Sequence, residues 1–113
     1  MKPKTTVRPW GRFRQFSQDE LSTVKIITVK AGEAFSLQYH KQRTEFWYII
    51  SGSPYVTIGK KKIKAKPGDE FLIKPKMQHR VMALRQSAVF LEVSFGHFDE
   101  SDIVRIEDLY GRA

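Results

Sequence analysis

The chain has 113 residues, contains no cysteine, and carries 20 Lys and Arg against 12 Asp and Glu, a formal net charge of +8. This length predicts one domain with its own core, and the lack of cysteine excludes disulfides and thiolate metal sites. No apolar run approaches the ~20 residues that span a bilayer, and the basic N-terminus lacks the apolar segment of a signal peptide. We therefore expect a cytoplasmic protein with no membrane partner.

The positive charge has two interpretations, attraction to anionic partners or a lysine-rich solvated surface. The largest basic block, residues 60–66, alternates polar and apolar residues from Lys62 onwards, as a strand with one wet face would. Neither a zinc finger nor a recognition-helix pattern accompanies this block. We therefore expect no nucleic-acid partner.

The sequence indicates a succession of short strands separated by Gly, Pro and polar turns. Residues 1–10 are expected to form an N-terminal arm, because they include two prolines and show no periodicity. The predicted strands are residues 12–16, 23–30, 34–39, 45–50, 55–58, 62–66, 70–73, 79–84 and 87–95. In the tail, residues 102–109 could form a helical turn.

Short strands at regular spacing predict an all-β fold, an antiparallel sandwich or barrel. No amphipathic helix lies between them, which argues against a parallel sheet. A jelly-roll barrel offers an interior face on which alternate residues can build a ligand site. We expect a single domain over residues 1–113, with residues 99–113 as a tail packed on the barrel.

Four side chains on the predicted strands could converge on a divalent metal. Gln38 and His40 are two residues apart, so on a strand they point to the same face. Glu45 follows after a short turn, and His79 offers a second imidazole from far along the chain. Two imidazoles, a carboxylate and an amide oxygen are a suitable ligand set. His97 has no comparable neighbours and is expected in a surface loop.

The spacing of these residues resembles the first cupin motif, in which a His-x-His pair and a glutamate lie between two glycines. The corresponding residues are Gly32, Gln38, His40, Glu45 and Gly52, with the glutamine in place of the first histidine. The second cupin motif is similar to residues 68–79, which end at His79 and have the proline shifted to Pro75. The resemblance implies the cupin double-stranded β-helix, a jelly-roll barrel.

Longer segments resemble the C-terminal cupin domain of type II mannose-6-phosphate isomerases, and this resemblance covers nearly the whole chain. The segments are residues 8–11, 36–40, 43–47 and 102–112. In that family the domain is often fused behind a mannose-1-phosphate guanylyltransferase domain. Nothing in residues 1–113 could form such a nucleotide-binding domain, so we expect the free-standing version. Phe46 is a departure, because the bifunctional enzymes usually carry a histidine after the glutamate.

The resemblance implies a metal-dependent isomerase that interconverts mannose 6-phosphate and fructose 6-phosphate in the synthesis of polysaccharide precursors. Its metal would be zinc, with manganese, iron and nickel as alternatives. The implied ligands are Gln38, His40, Glu45 and His79. Because cupins usually dimerise, we also expect a homodimer, which the N-terminal arm could form by strand exchange.

The chemistry further requires a base for the proton transfer and groups that hold a phosphate. Glu45 is the first candidate for the base, and Glu92 is available if its side chain points inward. Arg43 and Arg105 are candidates for binding the phosphate, because a guanidinium donates two parallel hydrogen bonds. Arg80 directly follows His79, so on a strand it is expected to face away from the metal.

Two other functions remain open at this point. The first is a non-catalytic module that binds a sugar or sugar phosphate in a metal-dependent way without turnover. The second is an iron-dependent oxygenase, because His40, Glu45 and His79 form a two-His, one-carboxylate set. A fourth ligand from Gln38 would argue against the oxygenase by occupying an open position.

Overall fold

The computed structural model describes residues 3–112, which form eleven β-strands and no helix. Met1, Lys2 and Ala113, at the ends of the predicted arm and tail, lie outside the described residues. The strands are β1 (Lys4–Arg8), β2 (Gly11–Gln15), β3 (Ser22–Val29), β4 (Leu37–Tyr39), β5 (Thr44–Ser51), β6 (Tyr55–Ile58), β7 (Lys61–Lys64), β8 (Glu70–Ile73), β9 (His79–Met82), β10 (Ala88–Phe95) and β11 (Val104–Glu107). Nothing in this part of the chain qualifies as a membrane-spanning helix. The predicted all-β fold class is confirmed.

Two antiparallel sheets enclose the core. The strand order is β3-β10-β5-β8 in the four-stranded sheet and β11-β4-β9-β6-β7 in the five-stranded sheet. Trp47 and Phe90 of the first sheet and Val56 and Val81 of the second are fully buried and belong to one apolar cluster. Two sheets that share one interior in this way form the predicted jelly roll.

Most predicted strands lie close to their expected positions. Tyr55–Ile58 and Glu70–Ile73 agree residue for residue. The predicted strand 34–39 is shorter, because only Leu37–Tyr39 pairs continuously, while Ala34 makes an isolated bridge to Met82.

Both ends of the chain form strands, and one of these strands contradicts an expectation. The N-terminal arm contains strand β1, which pairs with β2 in a hairpin. The predicted helical turn at residues 102–109 is instead strand β11, which pairs with β4. Both ends hold β-branched residues, which favour strands, and β4 offers the tail an open edge with which to form hydrogen bonds.

The β1–β2 hairpin forms a separate two-stranded sheet that contacts the outer face of the four-stranded sheet. Phe16, just after the hairpin, packs on Phe46 and Tyr48 with ring centroids 5.6 and 6.1 Å apart, and Arg14 forms an ion pair with Glu70. Because neighbouring residues of a strand point to opposite faces, Phe46 faces outward while the preceding glutamate faces inward. Phe46 therefore belongs to the hairpin contact.

The turn after β5 depends on a glycine. Gly52 has a φ of +85°, and a Cβ at this position would lie 2.5 Å from the backbone oxygen of Ser87. Gly59 has a similar φ of +58°, but a Cβ there would meet nothing within 4 Å. The two glycines therefore share the left-handed backbone and differ in the space around them.

We predict that Gly52→Ala lowers the free energy of unfolding by about 3 kcal/mol, the sum of left-handed strain and overpacking. Gly59→Ala is the matched control and is expected to cost about 1 kcal/mol from the backbone strain alone. Urea denaturation of the three proteins measures both values. Equal losses would contradict the close approach of the two backbones.

The outer face of the four-stranded sheet is apolar beside β3. Val24 and Ile26 are 59% and 68% exposed, and within residues 3–112 the outer edge of β3 pairs with no strand. The hairpin also exposes Val7, Trp10 and Phe13. Open edges and apolar patches of this kind are usually covered. We propose that a second copy covers them, with the hairpin of each copy against β3 of the other.

Light scattering during size exclusion is expected to show a dimer for the wild-type chain and a monomer for Ile26→Lys, because the lysine would be buried in the interface. Ile63→Lys changes an exposed residue of the other sheet and is expected to leave the dimer intact. A monomeric wild-type chain at about 100 μM would contradict the proposed dimer; that concentration is well above the Kd of a specific interface.

Candidate metal centre

His40, Glu45 and His79 meet between the two sheets. One ligand atom from each lies within 4.8 Å of the others, and none of the three side chains is more than 2% exposed. His40 follows β4 and His79 begins β9 in the five-stranded sheet, whereas Glu45 lies on β5 of the four-stranded sheet. The structure thus brings together three of the four predicted ligands.

Both imidazoles present the same nitrogen to the centre. The Nδ1 atom of His40 donates to the carbonyl of Asp102 at 2.6 Å, and that of His79 donates to the carbonyl of Met77 at 2.9 Å. A proton on Nδ1 leaves a lone pair on Nε2, and the two Nε2 atoms lie 3.2 Å apart. Two facing lone pairs favour a cation between them, so these residues fit a divalent metal.

The carboxylate of Glu45 completes this arrangement. Its Oε2 atom lies 3.4 Å from Nε2 of His40, and its Oε1 atom lies 3.8 Å from Nε2 of His79. Arg43 donates from Nε to Oε2 at 3.0 Å, and Trp47 donates from Nε1 to Oε1 at 3.2 Å. These two donors hold both oxygens toward the imidazoles.

Gln38 lies beside the centre but turns its amide nitrogen toward it. Its Nε2 atom is 3.5 Å from Nε2 of His40, while its Oε1 atom accepts from Ser36 Oγ at 2.5 Å. Ligation through the oxygen requires the amide to rotate by half a turn, an orientation that hydrogen-bond partners decide. Metal binding by Gln38 therefore stays a prediction.

Burial controls the charge state of the centre. It lowers the pKa of both His40 and His79 to about 4, and the Arg43 guanidinium adds to the lowering. Both rings are therefore neutral at neutral pH, the form that binds a metal. Burial also raises the pKa of Glu45, and burial together with the neighbouring Glu45 raises the pKa of Glu92 to about 7.

Arg43 contacts the metal-ligand cluster and also lines a cavity of about 240 Å³. It is 9% exposed, and besides its bond to the glutamate it donates from Nη2 to Nε2 of His40 at 3.0 Å. Its Nη1 atom is buried and has no hydrogen-bond partner among the described residues. The guanidinium thus places a positive charge next to the carboxylate of Glu45 and the Nε2 lone pair of His40, both of which attract cations.

Asp102 positions His40, a role that the sequence did not suggest. Besides accepting from the imidazole through its carbonyl, it accepts through its carboxylate from the backbone N–H groups of Lys41 and Gln42 at 2.7 and 3.0 Å. Those bonds hold the pKa of the Asp102 carboxyl below its usual range. No local pattern reveals this contact, because Asp102 and His40 are 62 residues apart.

The other predicted site residues lie in different surroundings. Glu92 and Arg105 line the cavity beside the cluster, and Glu92 faces inward because it is paired in register with buried Trp47. Arg80 donates to the carbonyl of Phe35 and forms an ion pair with a glutamate of β11, which agrees with its predicted direction away from the centre. His97 is exposed, as expected.

The paired sheets and the buried His-Glu-His cluster define a cupin. A solved cupin protein from Bacteroides fragilis is 26% identical, with a TM-score of 0.61 over 72% of this chain and 75% of that chain. Within this class, the family model described as "Mannose-6-phosphate isomerase C-terminal" matches residues 2–108. The chain belongs to that family.

Two curated relatives are similar over the same region. The Xanthan biosynthesis protein XanB of Xanthomonas campestris is 36% identical, and a mannose-1-phosphate guanylyltransferase of Klebsiella pneumoniae is 37% identical, each over 107 residues and 93% of this chain. The chain spans 23% of the length of each relative. The resemblance found in the sequence is therefore confirmed at the level of the family.

We predict that a chelator lowers the melting temperature of zinc-loaded protein by about 5 °C or more, because a bound metal stabilises only the folded state. His40→Ala and His79→Ala are each expected to lower the bound zinc at least tenfold and to abolish this shift. His97→Ala is the matched control and is expected to behave as wild type. Retention of zinc by both variants would contradict the proposed ligand set.

Proposed function

We propose that the chain is a metal-dependent sugar-phosphate isomerase that interconverts mannose 6-phosphate and fructose 6-phosphate. The observation that carries this proposal is the buried His40–Glu45–His79 cluster. Beside it lies a cavity lined by a further carboxylate and several cationic side chains. Membership of the mannose-6-phosphate isomerase C-terminal family supports the substrate class. Zinc is the proposed metal, since imidazole and carboxylate ligands suit it.

The reaction moves one proton from C2 of the aldose to C1 and a second from O2 to O1, through an enediol. A metal held by the cluster would polarise the substrate carbonyl. The protein itself must remove the C2 proton and deliver a proton to C1. The burial of the cluster places this transfer in a low-dielectric environment, where charge–charge interactions are stronger than in water.

We propose Glu92 rather than Glu45 as the base. Both oxygens of Glu45 accept hydrogen bonds from side chains that turn them toward the imidazoles, so they do not face a substrate. Glu92 lines the cavity, and its burial together with the neighbouring Glu45 raises its pKa to about 7. A carboxylate in this position can accept a proton from one carbon and return it to the next.

Phe46 does not weaken the proposal. It stands where the bifunctional enzymes usually carry a histidine, but it packs on Phe16 outside the four-stranded sheet. The substitution thus alters the hairpin contact and leaves the lining of the cavity unchanged.

Metal-loaded wild-type protein is expected to convert mannose 6-phosphate to fructose 6-phosphate. Glu92→Gln is expected to lower kcat about a hundredfold or more, the usual contribution of a general base, while zinc content stays unchanged. Glu100→Gln, an exposed carboxylate outside the cavity, is the control. A coupled assay of fructose 6-phosphate gives the rates.

Two results would contradict parts of this proposal. Metal-loaded protein whose melting temperature rises with mannose 6-phosphate but which shows no turnover would be a non-catalytic binding module. Full activity in Glu92→Gln would exclude that residue and leave Glu45 as the base.

A further inference from the structure

The cavity beside the metal-ligand cluster contains more positive charge than the proton transfer requires. Its lining includes Lys25, Arg43, Arg105 and Arg112, against the single carboxylate of Glu92. Like charges repel each other more strongly in a partly buried cavity than in water, because the surrounding protein screens them less. An anion in the cavity would relieve this repulsion.

Two of these cations come from the edge strands of the two sheets. Lys25 of β3 is paired in register with Glu92 of β10, and Arg105 of β11 is paired with Gln38 of β4. Directly paired residues of antiparallel strands present their side chains on the same face. Each edge strand therefore places a cation next to a residue of the cavity wall, one from each sheet.

Three of the four cations that line the cavity, Lys25, Arg43 and Arg105, are incompletely paired. The Nε atom of Arg105 and the Nη1 atom of Arg43 are buried without a hydrogen-bond partner among residues 3–112. Lys25 Nζ lies 4.4 Å from the ring centroid of Phe98, which also lies 4.5 Å from Cζ of Arg43. An aromatic face compensates a cation less fully than an anion does, so these groups retain the capacity to bind one.

Arg112 differs from the other three. It donates to both carboxylate oxygens of Asp108 at 2.8 and 2.9 Å and is exposed. Its charge is already balanced, so it contributes little to binding in the cavity.

We propose that Lys25, Arg43 and Arg105 form a cradle for the phosphoryl group of the substrate, with the sugar extending toward the metal-ligand cluster. The identity of the sugar rests on the proposed function, whereas the binding of a phosphoryl dianion rests on the cations alone. Guanidinium and ammonium groups are the usual donors to the phosphate oxygens. The cradle adds Lys25 to the arginines that the sequence suggested.

Calorimetric titration of zinc-loaded protein with mannose 6-phosphate, mannose and inorganic phosphate tests the cradle. Wild type is expected to bind mannose 6-phosphate at least tenfold more tightly than mannose. Lys25→Gln and Arg105→Gln are each expected to lower the affinity for mannose 6-phosphate about tenfold, since each removes a charge-assisted hydrogen bond. Neither change is expected to alter the zinc content. Lys25→Arg and Arg105→Lys keep the charge and are expected to recover part of the affinity.

Lys60→Gln and Arg85→Gln remove the same charge from exposed residues outside the cavity and are expected to bind as wild type. Wild-type affinity in both cradle variants, or equal affinity of wild type for mannose and mannose 6-phosphate, would overturn the cradle. Inorganic phosphate that binds as tightly through the same residues would support the cradle and assign it to free phosphate.

The outcomes for the cradle and for the isomerase are separable. Tight binding that depends on Lys25 and Arg105 but is followed by no turnover would support the cradle and reject the isomerase. Turnover with an unchanged KM in both variants would reject the cradle and retain the isomerase.

Discussion

The site depends on two hydrogen bonds from imidazoles to backbone carbonyls. They fix His40 and His79 with their Nε2 lone pairs facing each other at 3.2 Å. Burial removes the water that would otherwise solvate those lone pairs, and it also keeps protons off them by lowering both pKa values. Arg43 compensates part of this lost solvation by donating a hydrogen bond to Nε2 of His40. A metal ion held by these residues would compensate both lone pairs more completely, because it would carry two positive charges.

Strand β11 connects the metal-ligand cluster to the cavity. Asp102, just before this strand, holds the imidazole of His40 and the turn that follows it. Arg105, within the strand, lines the cavity. Because the two residues are three apart on a segment anchored by its pairing with β4, a displacement of that segment would move both. The geometry of the cluster and the position of the cation are therefore coupled through one strand.

The sequence predicted the parts of this structure that local patterns determine. Runs of β-branched and aromatic residues between turn signals predicted the central strands, and motif spacing predicted that His40, Glu45 and His79 would converge. It did not predict β11, because a short run of β-branched residues among charged ones becomes a strand only where another strand offers an open edge. The contact of Asp102 with His40 and the amide orientation of Gln38 also depend on neighbours distant in sequence.

The two faces of β5 separate the chemistry from the attachment of the hairpin. Glu45 and Trp47 point inward. The carboxylate of Glu45 faces the imidazoles, and the indole of Trp47 donates a hydrogen bond to that carboxylate. Phe46, between them, points outward and holds the hairpin through Phe16. A change at this position from histidine to phenylalanine therefore alters how the hairpin packs without altering the cavity. Whether the domain catalyses the proposed isomerisation then depends on inward-facing groups, above all on Glu92. Among the described residues, Glu92 is the one carboxylate that lines the cavity.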